Sequence, residues 1–226
     1  MFAAIREHLA ASAPHDAVRA AHHAAAAHGE DVSAREEKSA VVMFEGTAVE
    51  RFRQALEAVA GHCFVVKDEA GAAEVLRQIA EQRNSQRVAV SDSPLAGRVS
   101  GLAALAAEVL ENAAVGNLFE SDLGVTGAQW GVAETGTLVL ESDAERHRLA
   151  SLVPSAHVAF VEASQVRHTL GEVLSAINER GLEGLSRAIT FITGPSRTSD
   201  IELTLAIGVH GPAELYVVVI EGAGNG

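Results

Sequence analysis

The chain has 226 residues, 48% of them apolar, with a formal net charge of −13 and a single cysteine. That length and apolar content support a sizeable core, in one α/β domain or in a domain with an appendage. The acidic balance repels phosphate backbones and anionic membranes, so no nucleic-acid partner is expected. One cysteine excludes an internal disulfide, a Cys-rich zinc site and a self-contained iron–sulfur cluster.

The N-terminus carries Arg6 and Glu7 where a signal peptide needs its apolar region, so a cytoplasmic location is expected. Residues 1–28 are Ala-rich and read as helical, with a break at Ala13-Pro14. His8, His15 and His22 recur every seven residues and so share one stripe of a continuous helix. Ligands two turns apart, roughly 10 Å, cannot share one metal ion, which favours a solvent-facing or inter-subunit stripe. Gly29 to Ser39 is polar and reads as a linker. Residues 1–39 are therefore taken as a helical arm and linker, and 40–226 as the compact domain. An arm so poor in large apolar residues is expected to pack on a neighbouring subunit, giving a homo-oligomer, or to be partly mobile.

From residue 40 the pattern alternates between helix and strand. Val49, Phe52, Leu56 and Val59 have helical spacing, and Cys63 to Val66 reads as a strand. In that strand Cys63 reads as a buried structural thiol or, alternatively, a nucleophile. Ala72 to Gln82 reads as a helix and Arg87 to Ser91 as a strand stopped by Asp92-Ser93-Pro94. Leu102 to Leu110 reads as helix-like, with an end that reads equally as a strand. Leu138 to Leu140 is a strand, Arg146 to Leu152 a short helix, His157 to Val161 a strand and Ser164 to Asn178 an amphipathic helix. Ala188 to Ile192 and Leu215 to Ile220 are the last strands. No run approaches the roughly 20 apolar residues of a membrane span. Short strands apolar on both faces, separated by helices, predict a mostly parallel sheet with flanking helices.

Three stretches carry candidate chemistry. Gly194-Pro195-Ser196-Arg197-Thr198-Ser199-Asp200-Ile201-Glu202 follows the Ala188–Ile192 strand. Ser199 and Glu202 fit a capping box, so the loop is expected to open into a helix or capped turn at a strand's carboxyl end. Gly194, Ser196, Arg197, Thr198, Ser199 and Asp200 would then hold a small anion, with Arg197 as the fixed charge. The alternative is a plain turn in which Arg197 pairs with Asp200 or Glu202. In Gly124 to Thr137, Glu134 precedes a glycine turn and reads as a nucleophile or general base, or as a cap. Trp130 in the same stretch lines a pocket or fills the core. In Val209-His210-Gly211-Pro212, His210 is an acid–base or ligand-donating candidate, or part of a tight turn. Neither a P-loop nor a dinucleotide fingerprint is present, and His, Asp and Glu show no metal-ligand spacing, so no metal is expected.

Gly124-Val125-Thr126-Gly127, Ala133 to Leu140, Ser151-Leu152-Val153-Pro154 with His157-Val158, Gly194 to Glu202 and Gly208 to Pro212 stand in one order. Together they resemble the LUD domain family over roughly residues 45–222. The resemblance implies a fold similar to the sugar-phosphate isomerase/CoA-transferase superfamily. It also implies a part in L-lactate utilisation beside two iron–sulfur oxidoreductase-like proteins, which would hold the clusters this chain cannot. This chain would be an accessory or substrate-handling subunit binding lactate, pyruvate or a phosphorylated compound. Glu134-Thr135-Gly136 is also similar to the Glu-Asn-Gly of CoA-transferases, with threonine for asparagine, which implies an independent acyl-transferring enzyme. A non-catalytic ligand-binding module is the third expectation.

Overall fold

The computed structural model describes residues 46–111, 114–143, 148–199, 205–207 and 211–222. The N-terminal arm and its histidines, Asp200, and His210 all lie outside the described residues.

Helix α1, Ala48–Ala58, opens on a capping box: Glu50 N–H donates to the Thr47 hydroxyl, and the Thr47 N–H to Glu50 Oε2 at 2.7 Å. Strand β1 is His62–Val66, α2 is Glu69–Gln82 and β2 is Arg87–Val90. Helix α3, Pro94–Leu102, begins where Ser93 caps and proline sits at the first turn. Strand β3 is Glu108–Glu111, α4 is Val115–Leu118 and β4 is Leu123–Gly127. Then come β5 (Trp130–Val132), β6 (Thr137–Glu141), a 3₁₀ turn Arg148–Ser151 and β7 (Ala156–Glu162). A second 3₁₀ turn, Ala163–Gln165, leads to β8 (Val166–Arg167), and α5 is Leu170–Glu179. After a third 3₁₀ turn, Leu182–Gly184, follow β9 (Ile189–Ile192), β10 (Arg197–Ser199), β11 (Leu205–Ile207) and β12 (Glu214–Ile220).

Six strands form one sheet in the order β1-β12-β7-β4-β2-β3, every pair parallel. All five residues of β4 and six of the seven of β7 are buried, as a sheet covered on both faces requires. Leu76 and Ile79 of α2 and Val99 of α3 pack on the face that carries Val125, Val158, Phe160 and Val218. The opposite face carries Ala159, Val161, Leu215, Val217 and Val219 and packs against Phe52 and Leu56 of α1 and Leu138 and Leu140 of β6. On that second face lies a four-stranded sheet, β8-β5-β6-β9, antiparallel at β5/β6 and β6/β9. Thus α/β with a mostly parallel sheet and flanking helices is the fold, with one face covered largely by a second sheet.

The structure refines four sequence expectations. The helix predicted from Leu102 ends at Leu102; Ala104 takes φ 47°, and the chain turns back to lay Glu108–Glu111 beside β2. Ala-rich helix propensity loses there to strand pairing. The helix predicted from Ser164 begins at Leu170, because Val166 and Arg167 pair with Gly131 and Val132. The short helix expected over Arg146 to Leu152 is present as a 3₁₀ turn at Arg148–Ser151. Finally, Arg197–Ser199 pairs antiparallel with Leu205–Ile207 as a two-stranded ribbon, while Glu202 and the rest of the expected cap lie outside the described residues.

Gly124 shows how tightly the 3₁₀ turn is seated. A Cβ there would stand 1.7 Å from the Ala150 carbonyl oxygen, whereas Gly97 in α3 has nothing within 4 Å of its Cβ position. Gly124→Ala should therefore cost about 2 kcal/mol or more through forced backbone displacement. Gly97→Ala should be neutral or stabilise by up to about 1 kcal/mol. Thermal melting of the two variants beside the wild type checks this.

Candidate functional site

The adjacent interior strands β7 and β12 begin side by side, with Leu215 paired to His157. The two residues form the floor of a cleft of about 250 Å³. Ser151 and Leu152 at the end of the 3₁₀ turn form one wall, and Thr190 to Ser196 the other. Gly211 and Pro212, just before β12, close the rim. The Ser196 N–H donates to the Pro212 carbonyl at 2.8 Å, tying the two rim segments together. The cleft therefore lies at the amino ends of the parallel strands, not at the carboxyl ends expected from the sequence. The reason is that the Gly194 loop follows β9, which belongs to the antiparallel sheet.

Gly194 takes φ 77°, and a Cβ on it would stand 2.7 Å from the Val59 carbonyl oxygen. Only glycine meets both conditions, so the loop presses on the end of α1. Arg197 uses the same helix end: its Nη2 donates to the Val59 carbonyl at 2.9 Å. A cation at a helix C-terminus is favourable, because the carbonyls there lack intrahelical partners. Among the described residues the guanidinium is tied to α1, and Arg197 is not one of those that line the cleft; Asp200 and Glu202 lie outside the described residues. Of the candidate anion ligands, Gly194 and Ser196 line the cleft. Thr198 and Ser199 stand on β10.

Glu134 sits at the turn between β5 and β6. Its Oε1 accepts the Leu170 N–H at 2.7 Å, so it caps the first turn of α5. Thr135, Thr137 and Thr193 form a hydroxyl chain with 2.7 Å links, which joins the Glu134 turn to the residue before Gly194. His210 lies outside the described residues, although Gly211 and Pro212 beside it are on the cleft rim. Trp130 does not line the cleft. Its Nε1 donates to the buried Glu141 at 3.2 Å and its ring lies under Arg167. Glu141 also accepts from Arg180 and Ser186. Burial pushes the Cys63 thiol up to about 12, which fits a structural rather than nucleophilic cysteine.

The residue that sequence reasoning missed is His157. It is 1% exposed, and its Nε2 is 2.8 Å from the hydroxyl oxygen of Thr126, which is fully buried. Its Nδ1 is buried without a hydrogen-bond partner among the described residues. Desolvation alone drives its pKa down to about 3, so the imidazole is neutral at physiological pH. The only signal in the sequence was a histidine heading an otherwise apolar strand. No charged side chain lines this cleft among the described residues. Nor can any described cluster of three or more His, Cys, Asp or Glu residues hold a metal ion.

The LUD domain family model matches residues 49–220, which takes in the whole of the sheet and cleft. The chain belongs to the LUD domain family. A lactate utilization protein C of Deinococcus radiodurans is 39% identical over 104 residues, 46% of this chain and 48% of that protein. Its counterpart in Halalkalibacterium halodurans is 36% identical over 104 residues, 45% of each chain. An uncharacterized protein of Neisseria meningitidis serogroup B is 41% identical over 100 residues, 44% of this chain and 42% of that one. These matches span less than half the length of the curated relatives. A crystal structure of a DUF162 family protein from Deinococcus radiodurans superposes with a TM-score of 0.56 at 26% identity, covering 76% of this chain and 96% of that one. No described helix of this LUD chain is long and apolar enough to cross a membrane.

The buried imidazole gives the LUD chain a pH signature. Its folded pKa lies below the ordinary 6.5, so between pH 6.5 and about 3 the unfolded chain binds a proton that the folded chain does not. Stability contributed at this position is complete above 6.5 and falls as pH drops through that window. Wild type should therefore lose more melting temperature than His157→Gln between about pH 7 and pH 5. Parallel losses in the two proteins would contradict a buried neutral histidine.

Proposed function

We propose that this LUD chain acts in L-lactate utilisation as a substrate-handling subunit. It holds a small acid, lactate or pyruvate, in the cleft above His157, and electrons pass through separate iron–sulfur proteins. The observation that carries the reading is convergence. Gly124 and Thr126, Ser151-Leu152 with His157, Gly194 to Ser196 and Gly211-Pro212 come from four separated motifs, and all lie on or directly beneath one cleft. The names of the curated relatives support the pathway.

The cleft's size supports the ligand class. At about 250 Å³ it is smaller than the space taken by drug-sized ligands, which is roughly 300–1,000 Å³. A small acid fits it, with backbone N–H groups and the Ser196 hydroxyl as the available donors around a neutral floor. The need for partner proteins follows from the single cysteine, since a cluster requires several thiolates. The acyl-carrier role for Glu134 draws no support from the cleft, because that carboxylate is a helix cap outside its lining.

In the source organism, deletion of this gene should abolish growth on L-lactate as sole carbon source, and the intact gene should restore it. Unchanged growth would overturn the reading. Calorimetry on the purified chain should register L-lactate or pyruvate binding. Arg197→Ala should cost about 1 kcal/mol of stability through the lost helix cap. Because Arg197 does not line the cleft, acid affinity in that variant should stay within about twofold of wild type; a loss of tenfold or more would return Arg197 to the ligand set.

A further inference from the structure

The chain carries 30 acidic residues against 17 Lys and Arg, so a guanidinium in this fold readily meets a carboxylate. Arg77, Arg83, Arg87, Arg98 and Arg180 each form a salt bridge to a glutamate. Arg148 and Arg187 do not. Both line one open void of about 740 Å³, together with Ser142, Asp143 and Ala188. Among the described residues neither guanidinium has an ion pair or a hydrogen bond, not even with Asp143 on the same void. Two like charges facing one space repel each other, and an anion held between them removes that cost.

The backbone around the void is fixed. The Ser142 N–H donates to the Ala188 carbonyl at 3.0 Å, and the Ala188 N–H donates to the Ser142 hydroxyl at 3.1 Å. These bonds clamp the end of β6 to the start of β9. Having accepted there, the Ser142 hydroxyl still has its own proton to donate. The Ser151 hydroxyl donates to the Arg148 carbonyl at 2.6 Å and holds the 3₁₀ turn that carries Arg148. The same two segments wall the cleft: Ser151 and Leu152 follow Arg148 on the turn, and Thr190 to Ile192 follow Arg187 and Ala188 into β9. The two spaces are nonetheless distinct, since no described residue lines both.

The void thus offers two guanidinium forks and one hydroxyl donor against a single carboxylate. A planar fork pairs with two oxygens of a phosphate at once. Two forks match a dianion, whereas a monocarboxylate would leave one of them uncompensated. The volume of about 740 Å³ lies within the roughly 300–1,000 Å³ of sites for larger organic ligands, so a bare phosphate would not fill it. We propose that Arg148 and Arg187, with Ser142, bind the phosphoryl group of a phosphorylated small molecule at a site separate from the cleft above His157. A dianion held by both arginines would cross-link the 3₁₀ turn to the β9 segment, the two walls of that cleft. The proposal stands independently of what the cleft itself holds.

The test is calorimetry on the full-length protein at pH 8. The probe is phenyl phosphate, fully dianionic there because the second pKa of a phosphate ester is about 6. Phthalate serves as the matched dicarboxylate. Wild type should bind one equivalent of phenyl phosphate, more tightly than phthalate. Arg148→Gln and Arg187→Gln should each weaken that binding at least about tenfold, the loss of one charge-assisted pair. Arg53→Gln, which removes an exposed arginine of α1 outside the void, should leave affinity within about twofold, because a distant exposed charge is screened. Neither Arg148 nor Arg187 gives up a side-chain partner among the described residues, so both variants should melt with the wild type; if Arg148→Gln does not fold, the exposed Arg187 decides through its own variant. No binding of phenyl phosphate by the wild type, unchanged affinity in the Arg148 and Arg187 variants, an equal loss in Arg53→Gln, or phthalate binding as tight as phenyl phosphate would overturn the proposal. Each of these results leaves the small-acid reading of the cleft untouched, because that reading is measured with L-lactate and pyruvate.

Discussion

The structure depends on the double burial of a parallel sheet. Strands β4, β7 and β12 run through the centre, and side chains on both of their faces are removed from water. Such a sheet is stable only if each face is covered. The α2–α3 layer covers one face with apolar helix stripes. The other is covered by α1 and a small, mostly antiparallel sheet. The cleft lies at the amino ends of the strands, roofed by the 3₁₀ turn on one side and the Gly194 loop on the other. The candidate site is thus a consequence of how the core is closed.

The same constraint shapes the chemistry available. A group on the floor of this cleft sits on a dry sheet, so a charge there would be costly. His157 meets the condition by staying neutral, and its pKa is driven far below the usual histidine range by burial alone. The nearby cation, Arg197, is spent on the carboxyl end of α1. Among the described residues the cleft offers hydroxyls, backbone groups and one imidazole, a set suited to orienting a small polar molecule.

Glycine placement links the two. The Gly124 position admits the Ala150 carbonyl directly against β4, and Gly194 admits the Val59 carbonyl against the loop. Each glycine lets one wall of the cleft approach the layer behind it. The Thr135–Thr137–Thr193 hydroxyl chain fixes the β9 wall to the Glu134 turn. Glu134 in turn anchors α5. Residues that looked like chemistry in isolation, Glu134 and Arg197, hold the frame on which the cleft is built.

By itself the sequence determined the fold class. Apolar runs in β2, β7 and β12 separated by amphipathic helices leave little else than a covered parallel sheet. Short-range chemistry was also legible: the stop of β2 at Asp92-Ser93-Pro94, the lone cysteine as a structural thiol, which is partly buried, and the ordered motifs that carry the LUD resemblance. Four things were decided only by tertiary structure. Strands β5 and β8 are two or three residues long and exist because their partners supply the hydrogen bonds. The Gly194 segment continues into a strand at Arg197–Ser199, because Leu205–Ile207 supplies its hydrogen bonds. Arg197 found a carbonyl 138 residues away in sequence. And His157, one histidine among apolar neighbours, became the cleft's polar floor only when Thr126 was placed beside it, because burial and partner, not sequence position, set what an imidazole can do.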